Sequence, residues 1–265
     1  PENKDKNRFS NVLACECLHT HTHTLICVGF SIDVIVILSK LYFLSPYPNP
    51  APKHRLTQNV LENVPGGLTF VYCLCAYQGY ANASRQYIAA QGPLPSTVND
   101  FWRMVWEKRS QVIVMLFERT IYIYIYMPCI YGHLLVSVKS EDKFPSWTLR
   151  EFNKTTSETR TVRHFHFTAW PDHGVPTGTE ELIQFRGRIR QHVESSFSAG
   201  PTIVHCSAGV GRTGTLIALD VLLQQLDKEK AVGISAFVQQ MRLSRPLMVQ
   251  TEVTVSIHYF KKHLL

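Results

Sequence analysis

The chain has 265 residues, of which 45% are hydrophobic and 18% charged, and this length suits one α/β domain with a sizeable buried core. Lysine and arginine number 27 against 20 aspartate and glutamate, and the basic residues are dispersed rather than gathered in stripes. The formal charge of +7 favours an anionic partner, and the dispersal of the basic residues favours anionic phosphopeptides over nucleic acid.

Two alternating dipeptide repeats interrupt the chain. Residues 19–24 repeat His-Thr, and residues 121–126 repeat Ile-Tyr. A CA dinucleotide repeat is translated as His-Thr and a TA repeat as Ile-Tyr, so both segments look like translated microsatellites. Alternating β-forming residues nevertheless predict a strand over 121–126. The three alternating histidines are a weak metal-binding pattern, for which we predict no metal.

Residues 25–44 have the length and the Ile, Val and Leu content of a membrane span. Asp33 near the middle would cost roughly 2.5–3.5 kcal/mol on insertion, and Lys40 adds to that cost. We therefore reject a span at this position. The sequence shows no signal peptide and starts without methionine, so we expect a fragment of a longer protein.

The clearest chemical signal is the segment 204–213, which reads VHCSAGVGRT. The apolar run 201–204 before it predicts a buried strand, and leucines at helical spacing after it predict a helix. A glycine-rich turn that joins a strand to a helix N-terminus leaves several backbone N–H groups unpaired. Together with the helix dipole, these groups favour an oxyanion. The segment therefore predicts a phosphate-binding loop.

The same loop carries a candidate nucleophile, Cys206. The N–H groups that hold a phosphate should also stabilise its thiolate, which can attack phosphorus without a separate base. Arg212 supplies a planar fork that matches two phosphate oxygens. A lone cysteine before a helix is usually a small buried hydrophobe. The arginine and the glycines decide between these interpretations in favour of catalysis.

Phosphoryl transfer to sulfur also needs an acid for the departing alcohol, on a loop able to close over the site. Residues 170–176 read WPDHGVP, a carboxylic acid in a turn-rich segment that starts with a large aromatic residue. An isolated Trp-Pro-Asp is usually only a turn. Its presence beside the cysteine loop makes Asp172 the candidate acid.

These two segments, HCSAGVGRTGT and FTAWPDHGVP, resemble those of the classical protein tyrosine phosphatases. The stretches 1–9 (PENKDKNRF), 86–107 (QYIAAQGPLPSTVNDFWRMVWE) and 245–251 (RPLMVQT) agree in order. The stretches SWTLREF, HFHFTAW and RPLMVQT are most similar to receptor-type members with a single catalytic domain, the eta-like kind. The resemblance covers roughly 1–13, 77–117 and 132–252.

The resemblance implies a role for each site residue. Cys206 would form the cysteinyl-phosphate, Asp172 would protonate the tyrosyl oxygen, and Gln250 would place the hydrolytic water. Thr213 would ease departure of the thiolate by a hydroxyl hydrogen bond, and His205 would help to hold the thiolate form. The phosphoryl group would be clamped by Arg212 and the loop amides of Ser207, Ala208, Gly209, Val210 and Gly211.

Three positions depart from the family pattern. Phe9 stands where a tyrosine usually lines the phosphotyrosine slot, and phenylalanine keeps the stacking face. Asn11 replaces an aspartate that grips the substrate backbone, although an amide oxygen accepts the same hydrogen bonds. Thr254 replaces a second glutamine, which predicts weaker positioning of water.

Two longer segments, about 14–76 and 118–131, lack the family pattern altogether, and both contain a repeat. We hypothesise that they derive from noncoding sequence read through in a gene model or an aberrant transcript. The loss of a substrate-loop continuation and a supporting hairpin leaves a second function open. In that alternative the chain is a catalytically impaired phosphotyrosine-binding protein or a defective product.

The sequence as a whole predicts a single phosphatase domain over 1–265. We expect a twisted mixed β-sheet flanked by α-helices, with the cysteine loop at a strand-to-helix turn. The seven cysteines are an odd number, and the C-x-C pairs 15/17 and 73/75 lack the C-x-x-C spacing of a zinc site. We predict no metal and no cofactor. A reduced thiol predicts the cytoplasmic face. The resemblance implies the intracellular domain of a single-pass receptor, with phosphotyrosine-containing proteins as partners.

Overall fold

The computed structural model describes residues 75–77 (backbone alone), 86–117, 129–155, 158–170, 179–196 and 200–249. The strands in these ranges are β1 Cys75–Tyr77, β2 Tyr87–Gln91, β3 Val112–Leu116, β4 Cys129–Tyr131, β5 Leu134–Lys143, β6 Trp147–Thr155, β7 Thr159–Phe167 and β8 Thr202–Cys206. The helices are α1 Val98–Glu107, α2 Glu180–Ser195, α3 Gly211–Glu229 and α4 Ile234–Ser244.

The strands form one mixed sheet of eight in the order β1-β2-β8-β3-β7-β6-β5-β4. Its centre is parallel: β8 lies between β2 and β3, and β7 continues the parallel set beside β3. The sheet becomes antiparallel from β7 through β6 and β5 to β4, and β1 is antiparallel to β2. The predicted mixed α/β sheet is therefore confirmed.

Helices cover both faces of the sheet. On one face, α1 packs through Phe101, Trp102 and Val105 against buried side chains of the sheet. On the other face, α2, α3 and α4 bury residues such as Phe185 and Leu222 in a larger core. The central strands β2, β3 and β8 are buried along their whole length, because helices cover them on both sides.

A buried ionic network joins the larger core, on the face covered by α2, α3 and α4, to β2. Arg186 and Arg190 of α2 bind the Asp220 carboxylate of α3, with Arg186 Nε 2.5 Å from Oδ1. The hydroxyl of Tyr87 donates to the same carboxylate. Burial and the Asp220 charge raise the pKa of Tyr87 well above its usual value. This network holds α3, which follows the cysteine loop, against α2 and the sheet.

Several predicted features lie outside the described residues. These are the two repeats, including the strand predicted over 121–126, and the rejected membrane span at 25–44. Within the described ranges, no helix has the length and apolar character that crossing a bilayer requires. The same ranges contain no group of three or more His, Cys, Asp or Glu side chains able to hold a metal ion.

Candidate active site

The cysteine loop lies at the carboxyl end of the central strand of the parallel set. Strand β8 ends at Cys206, and α3 begins at Gly211. The predicted buried strand and the predicted helix are thus confirmed, with a turn of residues 207–210 between them. Because β8 is hydrogen-bonded to β2 and β3 on either side, the position of Cys206 is fixed by the most buried part of the sheet.

The loop is held against the end of β2. The N–H of Gly92 donates to the carbonyl of Ser207 at 3.0 Å. Gly209 has a φ of +72°, and a Cβ there would lie 2.1 Å from the carbonyl oxygen of Ala90. Only glycine fits this position, because a side chain would clash with β2 and strain the backbone. The close approach turns the Gly209 N–H toward Cys206, whose Sγ lies 3.3 Å away.

A buried arginine fixes the loop from the other side. Arg245, which directly follows α4, is 1% exposed. Its guanidinium donates from Nε to the carbonyl of Gly209 and from Nη2 to that of Ala208, both at 2.9 Å. Because Arg245 binds two consecutive carbonyls on the outer side of the loop, the loop N–H groups remain available to a ligand. The sequence did not predict this role, for which the only signal is a basic residue five positions before Gln250.

The start of α3 is joined to the last described residues of the chain. The carbonyl of Val210 accepts from the N–H of Gly214 at 3.0 Å and from the N–H of Val249 at 3.1 Å. Arg242 of α4 caps the same turn, donating to the Met248 carbonyl at 3.0 Å. The turn that precedes Gln250 is therefore packed against the loop.

Arg212 lies at the rim of the loop, at the second position of α3. Its Nη1 donates to the carbonyl of Leu116 at the end of β3, at 3.3 Å. Its guanidinium carbon lies 5.9 Å from the centre of the Trp170 ring. Trp170 is 2% exposed and meets Phe167 edge to face. The predicted aromatic anchor of the acid segment thus lies beside the predicted phosphate-binding arginine.

Two further residues predicted for the site, His205 and Thr213, are buried. His205 meets the rings of Phe101 and Phe117 edge to face, at centroid distances of 5.5 and 6.1 Å. Thr213 is fully buried, and its hydroxyl oxygen has no hydrogen-bond partner among the described residues. A buried hydroxyl without a partner is costly, so this position is one where a ligand or a water would be stabilising.

Two histidines of β7, His164 and His166, are also buried, and β3 separates their strand from β8, which carries His205. Burial holds the pKa of His164 well below its usual value and lowers that of His166 as well. His166 Nε2 lies 2.8 Å from the Phe117 carbonyl, and its Nδ1 lies 3.3 Å from the guanidinium of Arg150. These contacts fix the chain just after β3, next to the carbonyl that Arg212 binds.

The structure therefore brings together one part of the predicted site. Cys206, His205, Arg212, Thr213 and the turn 207–210 lie around one strand-to-helix turn. The remaining predicted residues, Phe9, Asn11, Asp172 and Gln250, lie outside the described residues. A cysteine with a backbone N–H on its sulfur lies directly before a helix whose second residue is an arginine, which is the arrangement expected of a thiol-based phosphate-binding site.

Comparison with known proteins agrees with this class. The sequence profile of the protein-tyrosine phosphatase family matches residues 69–259. The chain belongs to the protein-tyrosine phosphatase family, which confirms the resemblance predicted from the two motifs. The match does not favour the alternative of a binding-only or defective product.

The relatives found among curated proteins are receptor-type members. The human receptor-type tyrosine-protein phosphatase H is 48% identical over 193 residues, which cover 65% of this chain and 17% of that protein. The chicken receptor-type tyrosine-protein phosphatase eta is 45% identical over 227 residues, with coverage of 78% and 15%. Its human counterpart is 48% identical over 186 residues, with coverage of 66% and 14%. The chain thus spans about a sixth of the length of these relatives.

Proposed function

We propose that this chain hydrolyses phosphotyrosine in proteins through a cysteinyl-phosphate intermediate. The observation that carries the proposal is the contact of the Gly209 N–H with Cys206 Sγ, 3.3 Å apart, in a turn between β8 and the N-terminus of α3. An N–H group beside sulfur stabilises the thiolate, and the same group stabilises an oxyanion once phosphate is bound. One loop thus serves nucleophile and substrate together.

In the proposed first step, the loop N–H groups and Arg212 bind the phosphoryl oxygens of the substrate. The sulfur of Cys206 attacks phosphorus, so that an S–P bond forms while the bond from phosphorus to the tyrosyl oxygen breaks. Asp172 gives its proton to that oxygen, which leaves as tyrosine. The reaction needs no separate base because the cysteine enters as its thiolate.

In the proposed second step, water attacks the phosphocysteine and releases inorganic phosphate. Asp172, now a carboxylate, accepts a proton from the water that Gln250 positions. The S–P bond breaks and the thiolate returns, with the Thr213 hydroxyl as a donor to the departing sulfur. The buried Thr213 hydroxyl oxygen without a described partner supports this assignment.

Neighbours in the chain support places for the two residues outside the described ranges. Asp172 follows Trp170 by two positions, and the Trp170 ring lies 5.9 Å from the Arg212 guanidinium. Gln250 directly follows Val249, whose N–H donates to the Val210 carbonyl of the loop. Consecutive Cα atoms are about 3.8 Å apart. These contacts of the described neighbours support both proposed roles.

The direct test of the nucleophile is Cys206→Ser. The variant should lose turnover of an aryl phosphate while keeping affinity for a phosphotyrosine peptide, because the loop and Arg212 remain and the hydroxyl is not ionised. Rapid acid quench of the unaltered chain should trap a phosphocysteine visible by mass spectrometry. Undiminished turnover in Cys206→Ser would contradict a covalent mechanism.

The test of the acid is Asp172→Ala. Loss of general acid catalysis should lower kcat for phosphotyrosine by roughly 10²–10⁴, with little effect on an aryl phosphate whose leaving group needs no proton. The measurement is kcat across leaving groups of different basicity. Equal losses on good and poor leaving groups would make Asp172 a structural residue.

We further infer that the chain is the intracellular catalytic domain of a single-pass receptor, on the cytoplasmic face. The receptor-type relatives and the free thiol of Cys206 support this. We also retain the hypothesis that about 14–76 and 118–131 are foreign to the domain. Sequencing of full-length cDNA tests it: a dominant transcript that contains both repeats, with a normally folded and active product, would contradict it.

A further inference from the structure

A polar groove lies at the opposite edge of the sheet from Cys206, at the amino ends of the parallel strands. It has a volume of about 750 Å³ and includes Arg109, Lys139, Glu151, Glu158, Arg160 and Arg163 in its lining. Arg163 pairs in register with Val112, the first residue of β3, and parallel β8 runs from this edge toward Cys206. A groove at the amino ends of the parallel strands is thus separate from a loop at their carboxyl ends.

The charges of this groove are predominantly positive. Four cationic side chains share two carboxylates. Glu151 is bound on both sides, by Lys139 at 3.2 Å and by Arg163 at 3.0 Å. Arg160 binds Glu158 at 2.7 Å. Arg109 is exposed and has no carboxylate within ion-pair distance among the described residues. Both carboxylates are fully ionised near neutral pH, since hydrogen bonds from these cations lower the pKa of Glu151 and of Glu158.

Local packing fixes the backbone of Arg109 and the side chain of Arg160 at the groove. Arg109 has a φ of 53°, and a Cβ on Gly200 would lie 2.2 Å from its carbonyl oxygen. The close contact fixes the turn from which the Arg109 side chain projects. Arg160 stacks on Trp106 of α1, with its guanidinium carbon 4.0 Å from the ring centre, and donates to the Trp106 carbonyl at 3.2 Å. The stacked Arg160 is ordered and therefore loses little entropy when a ligand binds.

We propose that this groove binds an acidic, extended segment of a partner protein. The cations are spread along the groove around two separate carboxylates. Glutamate and aspartate side chains distributed along a peptide can each take the place of such a carboxylate in an existing ion pair. A phosphate dianion needs several donors that converge on one point, as they do at the cysteine loop. A nucleic-acid backbone would bring a continuous row of negative charge against Glu151 and Glu158. The volume, about 750 Å³, accommodates a few residues rather than a single small ion.

The inference does not depend on catalysis. It concerns side chains that the proposed mechanism does not use, so the groove should bind its ligand whether or not Cys206 is reactive. A segment docked there would be held at one edge of the sheet while the thiol faces the other. Binding and dephosphorylation can therefore be measured separately.

The experiment uses the full chain and a fluorescein-labelled eight-residue peptide of alternating Glu and Ser, followed by fluorescence anisotropy at low salt. The test variant is Arg109→Glu with Lys139→Glu, two exposed positions in the groove. The matched control is Arg188→Glu with Lys228→Glu, two exposed cations of α2 and α3 outside the groove lining, which changes the net charge equally. We expect the groove variant to weaken binding about tenfold and the control less than twofold. Arg109→Gln alone, which leaves every described ion pair intact, serves if the double variant does not fold.

Vanadate, a phosphate analogue, and Cys206→Ser should leave peptide affinity unchanged. Equal weakening by the control variant, which changes the net charge as much as the groove variant does, would mean that the net charge of the chain attracts the peptide, and the proposal would be wrong. Competition by vanadate would assign the peptide to the cysteine loop instead. Absence of binding at low salt, or tighter binding of a peptide with phosphoserine in place of glutamate, would also overturn it.

Discussion

The two edges of the parallel sheet carry sites of different construction. At the carboxyl edge, the cysteine loop presents main-chain N–H groups, and buried partners such as Ala90 and Arg245 fix its shape. At the amino edge, the groove presents long charged side chains from the turn after α1 and from β5, β6 and β7. The first site depends on the backbone and the second on the side chains. Substitutions should therefore damage the first through its supports and the second only through its own charges.

The strongest test of this difference is Gly209→Ala. A single methyl group would meet the Ala90 carbonyl and would also occupy a backbone conformation with φ of +72°. The loop must then move away from β2, and the Gly209 N–H must leave Cys206. Loss of one donor of this kind lowers kcat by about 10²–10³. Steady-state kinetics on an aryl phosphate measure the effect.

The matched control is Gly187→Ala in α2. A Cβ at Gly187 has no atom within 4 Å, and the residue is exposed in the middle of a helix. Alanine there should leave kcat unchanged and raise the free energy of unfolding by roughly 0.5–1 kcal/mol. If both glycine variants keep full activity, the close approach of the loop to β2 does not shape the site.

A smaller loss is expected from Arg245→Met, which removes both hydrogen bonds to the loop carbonyls and keeps an apolar stem of similar length. The side chain contacts the loop through the carbonyls of Ala208 and Gly209, so its loss should act on catalysis through a less ordered loop. We expect kcat to fall about tenfold to a hundredfold and the affinity for vanadate to weaken in parallel. Arg245→Lys should recover little, because an ammonium group cannot reproduce the two-pronged contact.

The exposed Arg188→Met provides the comparison for this variant. It changes the net charge equally and has no carboxylate within ion-pair distance among the described residues. Its kinetics should match those of the unaltered chain. A loss of stability in Arg245→Met without any change in vanadate affinity would show that Arg245 supports the fold and not the loop geometry.

The two edges also differ in how far the sequence predicted them. The cysteine loop was predictable because its strand, turn, arginine and helix lie within one continuous stretch, 201–226. Arg245 was missed because its contacts with Ala208 and Gly209 span more than thirty positions and depend on how α4 packs. The groove was missed for the same reason, since four elements contribute to it. Short-range periodicity predicted β8 and α3, whereas tertiary packing alone brings distant side chains together.

Lys154 in β6 is a buried lysine that the sequence pattern did not predict, and its protonation gives the last prediction. Its side chain alternates inward with Phe152 and is 1% exposed, with its Nζ 5.5 Å from the centre of the Trp106 ring. Burial, with the nearby Arg160 charge, lowers the pKa of Lys154 to about 7. The unfolded chain keeps this proton up to about pH 10.4, so between these values the unfolded state binds more protons. Stability should therefore rise with pH from 7 toward 10, by at most about 1.4 kcal/mol per pH unit.

Lys154→Met should abolish this dependence and raise the free energy of unfolding at pH 7 by roughly 1–3 kcal/mol, since no buried amine then has to lose its proton. Lys143→Met, at an exposed residue of the neighbouring strand β5, should change stability by less than about 0.5 kcal/mol. Urea unfolding at pH 7 and pH 9 measures both. The kcat of Lys154→Met should stay unchanged, because stability and not loop geometry is altered. An equal slope of stability against pH in Lys154→Met and the unaltered chain would show that the buried amine keeps its charge, held by the Trp106 ring.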